Sequence, residues 1–244
     1  MLSDFALTQL LAGAVVLAVA YFVRGIAGFG SGLIAVPVLA LMFPLQTVVP
    51  LVVLLDYVAS ASQGAANRRD IRWREILPLV PFSLAGVLIA LFLLTRADAE
   101  LLLHGLGAFV IVFAVYTLSG YAPKQEHSRA WAVIAGTSGG LIGTLFGTGG
   151  PFYVTYFKAR GLDKAAFRAT FATIFLLDGA GRLIGYVGSG LFTLHFLTLA
   201  AVALPVMAIF LYLGGHVHTR LTQQAFQRAI SALLIASGVM LLVK

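Results

Sequence analysis

The chain reads as an all-α polytopic membrane protein built from two inverted repeats, each a broken-helix hairpin plus three transmembrane helices. Three observations predict that class. Of the 244 residues, 60% are apolar and only 10% charged, with a mean hydropathy of +0.99, far from the balance of a soluble domain. The apolar residues gather into runs of bilayer-spanning length. Finally, the tetrapeptide Phe29-Gly30-Ser31-Gly32 returns as Phe146-Gly147-Thr148-Gly149 almost half a chain later, each time interrupting an apolar stretch, where loose backbone is costly unless it is packed in protein or lines a cavity.

The first repeat, residues 1–120, opens on an apolar run from Phe5 through Val23 and beyond, with neither the basic start nor the small-residue cleavage site of a signal peptide. Its first helix is therefore expected to stay. Residues 5–43 contain no polar loop, yet as one helix they would measure about 58 Å against a hydrocarbon core of about 30 Å. They must fold back, and Gly25 to Gly32 supply the turn. Single crossings follow near 46–66, 76–95 and 99–118. The second repeat, residues 121–244, keeps the order: a hairpin over 130–158 turning within Gly136 to Gly150, then crossings near 165–187, 194–213 and 224–243.

Loop charge orients these elements. The net charge is +7, from 16 Lys and Arg against 9 Asp and Glu, and the basic residues sit in short loops between spans. That distribution follows the positive-inside bias rather than a nucleic-acid surface, so no nucleic acid is expected as a partner. Arg68, Arg69, Arg72 and Arg74 mark one cytoplasmic loop, Lys124 and Arg129 a second, and Lys158, Arg160, Lys164 and Arg168 a third. The uncharged turn Gly188-Ser189-Gly190 falls outside. Because cytoplasmic loops flank residues 130–158, that segment must cross an even number of times, as a hairpin does. Counting on from there puts both termini on the periplasmic side and inverts the second repeat relative to the first, the architecture of many secondary transporters with a central site at the repeat interface.

The breaks are the candidate site. Where a helix restarts inside the membrane, its first N–H groups lack partners and its dipole end is positive, so backbone donors alone can hold an oxyanion. Gly30, Ser31 and Gly32 in the first break and Gly147, Thr148, Gly149 and Gly150 in the second are the expected substrate contacts. Ser31 and Thr148 occupy matching places and add hydroxyls, and Pro151 suits a first helical turn. Close helix packing is the competing explanation of these glycines. Four charges also fall within apolar segments, Arg24, Asp56, Asp178 and Arg182, where a central charge costs about 2.5 to 3.5 kcal/mol and so needs a partner or water. Asp56 and Asp178 each follow a Leu-Leu pair in the span after a hairpin. Either they couple transport to protons, or Asp178 and Arg182, spaced i, i+4, form a structural ion pair. Arg182 also offers a planar fork to an oxyanion. Arg24 either does the same beside the first break or snorkels to an interface.

Other polar and aromatic residues read as structural. Gln63 and Asn67 mark the inner end of their helix, and His104 and His195 are helix-end residues. His216 and His218, beside Arg220, lack the acidic neighbours of a metal site. Trp73 and Trp131 suit interfacial anchoring, and Phe152, Tyr153, Tyr156 and Phe157 suit packing. No metal or cofactor is expected, and the lack of cysteine excludes disulfides. Neither GxxxxGK[ST] nor HExxH is present, so an ATP-driven pump or a metalloprotease gains no support. Small-residue faces suit internal packing and a homodimer alike.

A resemblance joins these observations. The two Gly-rich breaks, the segment Asn67-Arg68-Arg69-Asp70-Ile71-Arg72-Trp73 leading into a Gly86-containing helix, and Gly214-Gly215-His216-Val217-His218-Thr219-Arg220-Leu221 followed by Phe226-Gln227-Arg228 together resemble the sulfite exporter TauE/SafE family of membrane permeases. The resemblance covers essentially the whole chain and implies a bacterial inner-membrane permease moving sulfur-containing anions such as sulfite or organosulfonates, often outward. The family pattern is richer in glycine at the first break, where this chain has Gly30-Ser31-Gly32-Leu33-Ile34. The combined expectation is a non-enzymatic secondary transporter working by alternating access, with the anion held between the breaks and movement linked to protons through Asp56 or Asp178. The runner-up is an intramembrane enzyme acting on a lipid or isoprenoid phosphate around Arg24, Asp178 and Arg182. A non-transporting scaffold is a third reading, one that leaves the buried charges without purpose.

Overall fold

The computed structural model describes residues 7–66, 68–94, 96–120, 128–217 and 223–244. Phe5, Asn67, Lys124, His218, Thr219, Arg220 and Leu221 lie outside the described residues, as do the side chains of Gln63, Arg68, Lys164, Phe226 and Gln227. Among the described residues all regular structure is helical: α1 Leu7–Ala27, α2 Ser31–Ala40, α3 Leu45–Ala66, a 3-10 turn at Arg68–Asp70, α4 Trp73–Ile76, α5 Val80–Leu94, α6 Ala99–Leu118, α7 Trp131–Phe146, α8 Gly150–Ala159, α9 Lys164–Gly188, α10 Leu194–His216 and α11 Gln223–Val243. Helices α1, α3, α6, α9 and α10 are long and apolar enough to cross a membrane. Each expected crossing has its helix. The crossing near 76–95 is shorter than expected because Pro78 and Pro81 remove two N–H donors, so α4 stops at Ile76 and α5 begins only at Val80.

The turns are narrower than the glycine content suggested. Helix α1 runs through Gly25 to Ala27, and α7 carries Gly136, Gly139, Gly140 and Gly143 in helical conformation before ending at Phe146. Within the two hairpins the helices break only at Gly28-Phe29-Gly30 and at Gly147-Thr148-Gly149, while Gly32 and Gly150 belong to the first turns of α2 and α8. At each break the first glycine takes a left-handed conformation, φ 85° at Gly28 and 66° at Gly147. Its N–H then returns to the carbonyl four residues back, Gly28 to Arg24 at 2.6 Å and Gly147 to Gly143 at 3.0 Å. Glycine adopts this helix-ending geometry without Cβ strain.

The helices form two compact units. In the unit built from Met1–Val52, Ala97–Ala122 and Thr193–Lys244, α1 packs along α10, α6 along α11, and α2 folds back on α1 and against α11 and α6. Glycine sets these approaches. A Cβ on Gly25 would lie 2.7 Å from the Gly215 nitrogen, and one on Gly107 would lie 2.9 Å from the Gly238 carbonyl oxygen. In the unit built from Val53–Arg96 and Pro123–Phe192, α5 packs along α7, α8 folds back on α7, and α9 lies against α5 and α8. There a Cβ on Gly86 would sit 2.7 Å from the Leu141 nitrogen, and one on Gly136 would sit 2.8 Å from the Leu79 carbonyl oxygen. Each glycine in a helix interior costs about 1 kcal/mol of propensity; near-backbone contact between neighbouring helices is what it permits in return.

Candidate functional site

The second break lies in the unit of α5, α7, α8 and α9, and α9 brings charge to it. Asp178 and Arg182, one turn apart, are 1% and 2% exposed and form a direct ion pair. Arg182 Nη2 also donates to the Gly139 carbonyl at 3.1 Å, and its guanidinium stands 5.8 Å from the Phe175 ring centroid. The Tyr153 hydroxyl of α8 donates to Asp178 Oδ2 at 3.0 Å. One turn beyond Arg182, the Tyr186 hydroxyl donates to the Thr144 carbonyl at 2.5 Å. Asp56, on the part of α3 that belongs to this unit, is also buried. A charge this deep is tolerable only when paired and hydrogen-bonded. The fold therefore brings Asp178 and Arg182 together beside Gly149 of the second break.

Missing side chains make the room. A Cβ on Gly143 would fall on the Arg182 guanidinium, one on Gly149 would lie 3.1 Å from Arg182 Nη2, and one on Gly139 would lie 2.9 Å from the Tyr153 hydroxyl oxygen. Thr148 is 2% exposed, and its Oγ1 has no hydrogen-bond partner among the described residues; the same is true of Asp178 Oδ1 and Arg182 Nε. Buried polar atoms without partners are uncommon and cost about 1 to 3 kcal/mol each. Chemically, this corner offers two donors and one acceptor.

The first break lies in the unit of α1, α2, α6, α10 and α11. Arg24 is 1% exposed and donates from Nη1 to Ser31 Oγ at 3.0 Å, so it does not snorkel to an interface. Aligning the hairpins by their helix limits and left-handed glycines, Gly28 and Gly147, pairs Gly30 with Gly149, Ser31 with Gly150 and Arg24 with Gly143. The repeated tetrapeptides are thus out of step with the helices by two residues, and Ser31 and Thr148 are not structural mates. Where the first hairpin carries a guanidinium, the second carries a glycine whose vacant Cβ position is filled by Arg182 from α9. Each break has its arginine, delivered by a different element.

The profile of the family described as Sulfite exporter TauE/SafE matches residues 12–241, a span that includes both glycine breaks and their arginines. The chain belongs to that family. It is 31% identical over 195 residues to the "probable inner membrane transporter protein TsaS" of Comamonas testosteroni, covering 78% of this chain and 81% of that one. It is 26% identical over 229 residues to the "probable sulfite/organosulfonate exporter TauE" of Cupriavidus necator, covering 91% and 89%. A "probable membrane transporter protein" of Haemophilus influenzae is 26% identical over 203 residues, covering 76% and 75%. No solved structure matches. The chain is a multi-pass membrane transporter, not an enzyme.

For this TauE/SafE member, sequence reasoning missed a second polar cluster. Glu75 of α4 is buried. It accepts from Arg160 Nε at 2.9 Å, from Arg160 Nη2 at 3.3 Å, from Arg129 Nη2 at 3.4 Å and from the Tyr156 hydroxyl at 3.0 Å. Burial pushes the Glu75 carboxyl up, but hydrogen bonds from Arg160 and Tyr156 and the charges of Arg160 and Arg129 outweigh it and hold the group below its ordinary range. The three basic loops that charge bias assigned to one side meet at this carboxylate. Tyr153 and Tyr156, read from sequence as packing, each serve a buried acid. Their i, i+3 spacing on α8, which places both hydroxyls on one helical face, was the available signal. Gly136-Thr137-Ser138-Gly139-Gly140 formally matches the GxSxG pattern but lies inside α7, without the strand-to-helix turn a nucleophile elbow needs. Trp73 and Trp131 are half exposed, and His216 Nδ1 bonds the Tyr212 carbonyl of its own helix at 2.9 Å.

Proposed function

We propose that this chain is a secondary permease that exports small sulfur-containing anions, sulfite or organosulfonates, across the bacterial inner membrane by alternating access. The observation that carries the reading is Arg182: a fully buried guanidinium, held by Asp178 against a glycine-lined helix break, with Nε and the neighbouring Thr148 hydroxyl left without partners among the described residues. Donors of this kind suit an oxyanion. Gly30, Ser31, Gly32 and Arg24 are the corresponding contacts at the first break. Asp178, with Asp56 also buried in the same unit, is the group through which anion movement couples to protons. The family and the Cupriavidus relative's name support the substrate class.

Residues 1–120 and 121–244 act as inverted repeats in this proposal, with both termini periplasmic. Helix pairing supports the repeat, since exchanging the halves turns the α1–α10 pair of one unit into the α7–α5 pair of the other and maps α6–α11 onto itself; the basic loops support the sidedness. The glycine faces are occupied within the chain, so a homodimer would use the exposed aliphatic surface instead. The test is flux in proteoliposomes. Sulfite or a simple sulfonate should move down its gradient and faster under one polarity of an imposed pH gradient; if no anion moves under either polarity, the transport assignment fails.

A further inference from the structure

Among the described residues, the buried side-chain polar atoms left unpartnered, Arg24 aside, are Thr148 Oγ1, Asp178 Oδ1, Arg182 Nε and Ser231 Oγ. Three of these four belong to residues joined at the second break. Arg182 holds Asp178 and lies against Gly149, next to Thr148. Their chemistry differs in a way that constrains the ligand. Arg182 Nε can only donate and the Thr148 hydroxyl is free to donate, whereas Asp178 Oδ1, as a carboxylate oxygen, can only accept. An anion presenting acceptors alone would satisfy the donors and leave Asp178 Oδ1 buried and unpaired. The groups around Asp178 do not remedy this. Tyr153 of α8 and Arg182 both reach Oδ2, Tyr186 is spent on the Thr144 carbonyl, and α5 carries no titratable residue.

Resting on the anion-transport reading, we propose that the second break selects a singly protonated oxyanion, hydrogensulfite in type. Such an anion gives its O–H to Asp178 Oδ1 and its unprotonated oxygens to Arg182 Nε and Thr148 Oγ1. An acceptor-only sulfonate enters only when Asp178 itself takes up a proton, which then supplies the missing donor. Anion and proton arrive together in either case, but the carrier of the proton differs, and this sets the preference between the two substrate types.

The experiment is calorimetric binding of sodium sulfite and sodium methanesulfonate to the purified protein in nanodiscs, in buffers of different ionisation enthalpy so that protons are counted. In buffer acidic enough that dissolved sulfite is already hydrogensulfite, it should bind with no proton uptake. Methanesulfonate should bind about tenfold to a hundredfold more weakly at neutral pH, the cost of protonating the Arg182-paired carboxyl of Asp178 before the anion can enter, and should take up a proton per anion. Asp178→Asn presents an amide donor in place of the acceptor and should reverse the preference. Thr148→Val should weaken both anions without changing their ratio, and the wild-type proton counts decide the matter if Asp178→Asn does not fold. Methanesulfonate binding as tightly as hydrogensulfite without proton uptake would overturn this selectivity while leaving the anion site standing. Binding of neither anion to the wild type would overturn the transport reading itself.

Discussion

Replacing Gly143 with alanine should dismantle the second break although it adds one methyl group. The new Cβ falls on the Arg182 guanidinium, so Arg182 must leave its place, giving up the Gly139 carbonyl and its geometry with Asp178. Alanine gains about 1 kcal/mol of helix propensity over glycine, but disrupting a buried ion pair costs about 3 to 5 kcal/mol. The net loss is about 2 to 4 kcal/mol, a fall in melting temperature of about 4 to 16 °C for a chain of this size. Removing a charge-assisted hydrogen bond to the anion should slow flux at low substrate by about tenfold to a hundredfold. Gly188→Ala is the control: it lies on the same helix as Arg182, and its Cβ would meet nothing within 4 Å. Thermal unfolding in detergent and sulfite flux in proteoliposomes are measured for both variants. If Gly143→Ala melts with Gly188→Ala and transports like the wild type, Arg182 is not seated against α7 and the reasoning is refuted.

Two further outcomes follow from the geometry. Glu75→Gln should cost about 1.5 to 3 kcal/mol at pH 7, the worth of hydrogen bonds to a charged group. Because the folded Glu75 is held below the ordinary value of 4.5, its contribution is complete above that pH and is lost as pH falls through the lower folded value, so the two melting curves should converge in acid; a gap that stays constant from pH 7 into that range would contradict the ion-pair account. Gly86→Ala puts a methyl 2.7 Å from the Leu141 nitrogen and should force α5 from α7 at a cost of about 1 to 3 kcal/mol of overpacking, read as lowered thermal stability in detergent; wild-type stability would show that the helices do not meet at backbone distance.

Legibility in the sequence followed the range of the interactions involved. The helix limits of α3, α6, α9 and α10 match the expected crossings closely, because apolar length and backbone self-satisfaction in a membrane are local properties. The breaks were legible for the same reason, but their extent was overestimated. Gly136, Gly139, Gly140 and Gly143 look like loop residues one by one, and they are helical because α5, Arg182 and Tyr153 occupy the space their side chains would take. The buried charges Asp56, Asp178 and Arg182 stood out against apolar neighbours. Glu75 did not, since it sits in a charged loop, and only contact with Arg129 and Arg160, far away in the chain, distinguishes it from a solvated surface acid.

By itself the sequence determined the class of this protein, the number and order of its apolar crossings, and the presence of charges that need partners. Each rests on nearest neighbours along the chain and on the cost of bare backbone or bare charge in hydrocarbon. The tertiary structure decided which arginine serves which break. Arg24 reaches Ser31 from its own hairpin, whereas Arg182 comes from α9 into the space Gly143 leaves. That choice depends on helices meeting at backbone distance, a property of pairs of glycine faces that no single stretch of sequence contains.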